Sequence, residues 1–203
     1  MTTGKKQTEF PLKGRVVFLA TGNIHKFHEA RSILTKLDIA VGMHRIKDTE
    51  IQSDRLKEIA MTSAQEVYKR ASLPVIVEDA GLFIDALKGF PGPYAAYAYK
   101  TVGNKGLLKL LQGVENRKAV FKAAIAYCES ETKTPLVFEG EAEGEITVAE
   151  RVGNGKSGFG FDPIFQPSGS AKTFAEMTLE EKNRFSHRAK AVRKFAEWYK
   201  KFH

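Results

Sequence analysis

Val16-Val17-Phe18-Leu19-Ala20-Thr21-Gly22-Asn23-Ile24-His25-Lys26 is the stretch from which the fold is read. Five apolar residues give a buried strand, Thr21-Gly22-Asn23 a turn, and the spacing of Ile24, Phe27, Leu34 and Leu37 a helix. Strand, glycine turn and helix, with a lysine in the first helical turn, is the layout of a phosphate site. The first N–H groups of a helix lack intrahelical partners and point past its end. The helix dipole favours an anion there, and Lys26 adds a full charge. The same residues also suit an ordinary strand-to-helix connection in which Asn23 caps the helix.

Working outward, 203 residues with 42% hydrophobic content suit one domain with a sizeable core. Residues 1–14 read as a basic extension carrying Lys5, Lys6 and Lys13, and 15–203 as a single domain. The apolar run after the extension is too short for a signal-peptide core or a membrane span. The one cysteine, Cys128, sits in an apolar run and has no intrachain partner. These features predict a cytoplasmic protein with no membrane partner. The net charge of +8 suggests a polyanionic partner. No run of five like charges appears, which argues against a dedicated nucleic-acid arm.

Leu56, Ile59, Ala60, Ser63, Ala64, Val67 and Ala71 predict a helix from an N-cap at Asp54 to Ser72, stopped by Pro74. Val75-Ile76-Val77 reads as a buried strand ending in Glu78-Asp79. Gly89-Phe90-Pro91-Gly92-Pro93 is a loop, with helices over Tyr94 to Tyr99 and Lys105 to Leu111. Ala119 to Cys128, Leu136 to Phe138 and Glu145 to Val148 read as strands of an antiparallel ribbon. Thr178-Leu179-Glu180-Glu181 is a capping box that opens one last helix with Phe185, Ala189, Val192, Ala196 and Tyr199 on its apolar face. The pattern predicts a mixed α/β sheet with a long strand pair extending from it.

Two motifs are decoys. Gly153-Asn154-Gly155-Lys156-Ser157-Gly158 matches a dinucleotide fingerprint, but Phe159-Gly160-Phe161-Asp162-Pro163 follows where a helix is required. His25 and His28 sit one turn apart with no third metal ligand nearby. Asp79, at the end of a buried strand, suits either a metal carboxylate beyond the sheet edge or a turn aspartate. Phe159 and Phe161 suit either base stacking or core anchoring. Lys182 and Ser186 share a helix face, and His187 and Arg188 follow. Basic groups early in a helix oppose its dipole, which makes sense opposite an anion or an electron-rich oxygen.

Together these pieces resemble the inosine triphosphate pyrophosphatase family. The matching stretches are Ala20-Thr21-Gly22-Asn23 with Lys26 and Glu29; Val77 to Leu82; Gly89 to Tyr94; Gly158 to Pro163; and Phe174 to Met177 through Lys182 to Arg188. They occur in the family's order over most of the chain. The resemblance implies an elongated mixed β-sheet flanked by helices in two lobes, with a nucleotide cleft between them. It implies a Mg2+-dependent homodimer that hydrolyses ITP, dITP or XTP to the monophosphate and pyrophosphate. It implies a triphosphate cradle at Thr21, Gly22, Asn23, Ile24, His25 and Lys26. Glu50 and Asp79 become the metal carboxylates, with Asp79 also the general base. Ala80 sits at the substrate edge, where many relatives carry a hydroxyl. Phe159, Gly160, Phe161, Asp162, Lys182, His187 and Arg188 become the nucleobase pocket. Many relatives place a lysine in the second helix where this register has Ser63.

The chemistry suits those residues. Phosphoryl transfer needs charge neutralisation and an oriented water, with little covalent work by the protein. Donors such as Lys182 or Arg188 facing the 6-position would donate to an oxo group and meet adenine's amino group donor to donor, a mismatch worth on the order of 10⁴-fold. A broader NTP or dNTP pyrophosphatase, and a basic nucleic-acid-binding module, are the alternatives.

Overall fold

Apolar runs and helical stripes alternate early in the chain, and they build a mixed sheet covered on both faces. The computed structural model describes residues 15–45, 51–153 and 158–203. The basic extension, Glu50 and most of the glycine-rich decoy therefore lie outside the described residues. The first half runs β1 (Val16–Ala20), α1 (Ile24–Leu34), β2 (Ala40–His44), α2 (Leu56–Ala71) and β3 (Val75–Ile84). β4 (Pro91–Gly92), α3 (Ala95–Thr101) and α4 (Gly103–Leu110) follow. Then come β5 (Lys118–Cys128), β6 (Leu136–Ile146), β7 (Phe165–Pro167), α5 (Leu179–Phe185) and α6 (His187–Phe202).

β1 pairs parallel with both β2 and β3, whereas β5, β6 and β7 add antiparallel beyond β3. Among the described residues this gives a seven-stranded sheet in the order β2-β1-β3-β5-β6-β7, with β4 beside the far end of β3. Strand alternation sorts the helices. α1 and α6 cover the face that carries Leu19, Ile76 and Ile125. α2 covers the opposite face, over Ala20, Val75, Val77 and Ala126. Past the parallel strands a further core forms around Leu82, Ile84, Leu107, Phe121 and Phe174. The long strands β3, β5 and β6 thus cross from one core into the next, as the elongated two-lobed mixed sheet requires.

Four expectations need correction. β3 does not end at Asp79 but continues to Ile84, because β5 pairs with it from Val75 through Ile84. The two candidates at Leu136 and Glu145 are one strand, with Val148 outside it and 83% exposed. Gly140 and a row of glutamates hid that continuity. A Cβ at Gly140 would fall on the His187 carbonyl and within 2.6 Å of Ala191 N, so glycine is what lets α6 lie on the sheet. The C-terminal helix is two helices, broken at Ser186, whose backbone is extended. Asp54 is not the α2 cap. Arg55 is, its N–H donating to Ser53 Oγ at 3.1 Å while Ser53 donates to Glu58 at 2.8 Å. The Thr178 capping box is present, and a second one spans Thr173–Glu176.

Candidate active site

The sheet's connections set the site. α1 leads from β1 out to β2 on one face, and α2 returns from β2 to β3 on the other. Open α/β sheets bind ligands in the crevice beyond the carboxyl ends of strands at such a reversal. β1 stops at Ala20, opposite Val77, so the Thr21–Lys26 turn opens beside Glu78 and Asp79.

Asn23 caps α1: its Oδ1 accepts the His25 N–H at 2.9 Å and the Lys26 N–H at 3.3 Å. The Asn23 N–H in turn donates to Thr21 Oγ1 at 3.1 Å. Two amides expected to face an anion are therefore engaged by the cap. Gly22, Ile24 and His25 are exposed along the turn. Lys26 Nζ lies 2.8 Å from Glu78 Oε2 and donates to the Glu78 carbonyl at 3.2 Å.

Glu78 belongs to a buried charge network that sequence reasoning did not assemble. Lys182 Nζ lies 2.7 Å from Glu29 Oε1 and 2.5 Å from Asp162 Oδ2. Arg188 Nε donates to Glu78 at 3.0 Å, and its Nη1 donates to Glu29. Three carboxylates thus face three cations, Lys26 included. The break at Ser186 brings the cations together: its N–H ends α5 on the Lys182 carbonyl, and its Oγ caps α6 at the Ala189 N–H. Lys182 on α5 and Arg188 on α6 then converge on Glu29 of α1.

Burial pushes the Glu29 carboxyl up, but Arg188 and Lys182 outweigh it and hold it at about 2. Burial likewise raises Glu78, and Arg188 and Lys26 bring it below its ordinary range. For Asp162 burial wins over Lys182, and its carboxyl stands above its ordinary range. Glu29 and Glu78 were visible in the sequence, one in a family-matching stretch and one in an acidic pair, but neither was given a role in the site. The available signal was Glu29's place in the buried stripe of α1 with Phe27, Ala30 and Ile33, where an acid requires a partner.

Asp79 looks the other way. Consecutive strand residues point to opposite faces, so Glu78 joins the α1/α6 side and Asp79 the α2 side. There it lines a cavity of about 360 Å³ with Gln52, Ile59, Pro93, Tyr94 and Tyr97. Gly81, on the same face, sets the cavity wall: a Cβ there would fall on the Gly92 carbonyl, 2.8 Å from its carbon. β4 can therefore lie tight against β3, carrying Pro93, Tyr94 and α3 up to Asp79. Ser63 is buried in α2, one turn beyond Ile59. Ala80 packs on the α1/α6 side. Among the described lining residues the only charge is that of Asp79.

The aromatic loop divides between its two readings. Phe161 is a core anchor, 3% exposed, with Tyr99 edge-on to it. Phe159 is half-buried and lies over the Lys182 ammonium and Arg188 guanidinium, 5.1 and 5.5 Å from its centroid. Asp162 Oδ2 accepts the Phe159 N–H at 2.7 Å, and Gly160 forms the turn between them at positive φ. His187 is buried and stacked on Phe121 at 4.7 Å. Its Nδ1 has no hydrogen-bond partner among the described residues. Burial, then Arg188 and Lys182, hold it well below its ordinary range and so neutral.

A switch-point sheet with an exposed capped turn on one side and an acidic cavity on the other has the architecture of a protein that handles phosphorylated small molecules. A family model described as the Ham1 family matches residues 17–198, and the chain belongs to that family. A dITP/XTP pyrophosphatase of Methanopyrus kandleri is 52% identical over 91% of this chain and 96% of its own length. One of Thermococcus kodakarensis is 49% identical over 92% and 97%. Among solved structures, a HAM1 protein from Coxiella burnetii superposes with a TM-score of 0.77 at 31% identity, covering 92% of this chain and 99% of that one. The Staphylococcus aureus Ham1 protein gives 0.77 at 27% identity, covering 93% and 100%.

Proposed function

We propose that this protein hydrolyses non-standard purine nucleoside triphosphates, dITP, XTP and ITP, to the monophosphate and pyrophosphate, clearing deaminated purines from the nucleotide pool. The observation that carries the reading is near-full-length identity of about half to proteins named for that activity. The sheet supports it by offering sites on both faces of β3, one suited to a base and one to phosphates.

On the phosphate side, Asp79 orients a water and takes its proton as that oxygen bonds to the α-phosphorus and the bond to the departing pyrophosphate breaks. The cavity's described lining offers no cation against a triphosphate, and its hard carboxylate and amide oxygens fit a divalent ion. Asp79 and Glu50 would hold that ion, which we take to be Mg2+. When bound it supplies positive charge against the phosphate oxygens. The Thr21–Lys26 turn, which follows β1 where Ala20 lies opposite Val77, would receive the far end of the phosphate chain.

On the base side, discrimination follows from donors that cannot turn away. Lys182 has three N–H donors and Arg188 five. The described carboxylate contacts engage two on each. The donors that remain are aimed by Glu29, Glu78 and Asp162, so they welcome a 6-oxo group and are left unpaired by a 6-amino group. We also propose a homodimer working in the cytoplasm. No described helix is long and apolar enough to cross a membrane.

The test is pyrophosphate release from dITP, XTP, ITP, GTP and ATP, with and without Mg2+, by wild type and Asp79→Asn. Mg2+-dependent release from the first three and little from ATP is expected, with release abolished in the variant. Guanine also carries a 6-oxo group, so Lys182 and Arg188 separate the substrates from ATP and not from GTP. Equal release from all five would remove the selectivity argument, and no release from any would overturn the function.

A further inference from the structure

His25 was expected in the phosphate cradle, yet its side chain contacts the base-side loop instead. Its imidazole is stacked on Phe159, with centroids 5.2 Å apart and planes 15° from parallel. Phe159 is thereby sandwiched, with His25 on one side and the Lys182 and Arg188 cations near its ring. Both cations are almost completely buried, 1% and 3% exposed. A purine that is to reach them must displace or part the two rings that cover them. The Phe159 backbone is anchored, its N–H held by Asp162 at 2.7 Å and Gly158 packed on Ala175, so the parting falls to the two ring side chains and to the turn at Gly160. Gly158 and Gly160 flank Phe159, both at positive φ, and a Cβ at Gly160 would meet nothing within 4 Å. Glycine at 160 therefore serves backbone freedom rather than packing. His25 itself is exposed in the first turn of α1, and its N–H is fixed by Asn23, so its ring is presented from a rigid element.

We propose that His25 is a nucleobase-stacking residue: its imidazole and the Phe159 ring are the two walls of a slot that opens by about one ring thickness to clamp the purine. This rests on the purine nucleotide reading above and deepens it. The walls give affinity for any purine, because stacking uses the π-face and not the edge. Selection among purines is left to Lys182 and Arg188. The α1 N-terminus then serves two ends of one substrate, its turn facing the phosphates and its His25 ring facing the base.

Calorimetric titration of wild type, His25→Ala and His25→Phe with IMP and, separately, with inorganic tripolyphosphate tests this. His25→Ala should weaken IMP about tenfold and leave tripolyphosphate unchanged, and His25→Phe should restore IMP. Because the side chain is exposed, all three should melt at the same temperature. Unchanged IMP affinity in His25→Ala, with wild type binding normally, overturns the stacking role alone. A loss confined to tripolyphosphate overturns it too and returns His25 to the phosphate cradle. If wild type binds no IMP, the nucleotide reading fails and the stacking role with it.

Discussion

Replacing Lys182 by methionine tests the charge network, because the size of the effect follows from its geometry. Methionine keeps the side chain's length and apolar stem, so no large cavity opens. What is lost is the ammonium between Glu29 and Asp162, in a place where the lysine is 1% exposed. Removing one partner of a buried pair costs roughly 3–5 kcal/mol, because the other charge is stranded. Glu29 keeps Arg188. Asp162 keeps only its bond from the Phe159 N–H among its described contacts, so it carries most of the penalty. Its carboxyl already stands above its ordinary range and is relieved by taking up a proton. That relief puts the loss near the lower end, about 3 kcal/mol, or roughly 6–12 °C in Tm for a domain of this size. The sign with pH follows. A carboxyl whose folded pKa is raised binds more protons in the folded state, so stability rises as pH falls through that pKa. The loss in Lys182→Met should therefore be smaller at pH 5 than at pH 8, and Asp162→Asn on top of it should recover part of the stability. Urea unfolding at the two pH values measures both. A loss below about 1 kcal/mol, the scale of a hydrated surface pair, or no rescue by Asp162→Asn, would refute the closed network.

His187 is neutral in the fold, so below its ordinary range the unfolded chain binds a proton that the folded one refuses. Stability should fall with pH there by up to about 1.4 kcal/mol per unit, and His187→Phe, which keeps the stack on Phe121, should flatten that slope in urea titrations at pH 7, 6 and 5. Gly81→Ala should push β4 away from β3 and lower kcat by at least tenfold in pyrophosphate-release assays, since a misplaced wall beside the reacting group costs heavily. Normal turnover would separate that wall from the chemistry. Glu29→Gln should lose stability, because it takes a carboxylate from both Lys182 and Arg188. Assayed below its melting temperature, the variant should show a reduced preference for dITP over dATP, read as the ratio of kcat/KM values. An unchanged ratio would show that Glu29 does not aim the donors.

How far the sequence could be read depended on the range of the interaction. The β1 strand, the Asn23 cap and the Thr178 capping box are local, and their residues announce them. The mixed α/β sheet followed from the order of apolar runs. The length of β3 was not legible, because it comes from ten registered partners on β5 that lie some forty positions downstream. The break at Ser186 was hidden by an apolar stripe that passes through it in phase, although the serine ahead of three helix formers was a cap signal. In the candidate site, Lys26, Asp162, Lys182 and Arg188 were legible as unusual residues, but their pairing was not. Glu29 and Lys182 are 153 positions apart, and only the packing of α1 against α5 and α6 brings them together.

The adjacent pair Glu78-Asp79 shows what the strand contributes that a loop would not. In a turn, neighbouring carboxylates would share one solvent-facing site and repel. In β3 the pleat sends them to opposite faces. The backbone on each side is held by β5, from Glu78↔Ile125 to Asp79↔Ala124. Glu78 is then neutralised by Lys26 and Arg188 on the α1/α6 side, while Asp79 lines the cavity on the α2 side. In the proposed reaction, one peptide unit then fixes the distance between the carboxylate that aims the base-side donors and the carboxylate that orients the attacking water. A shift in the β3–β5 register by one residue would exchange the two carboxylates and destroy both roles at once. The ten-residue antiparallel pairing of β3 with β5, at the long end of ordinary strand lengths, therefore holds the two carboxylates on their separate faces as well as building the fold.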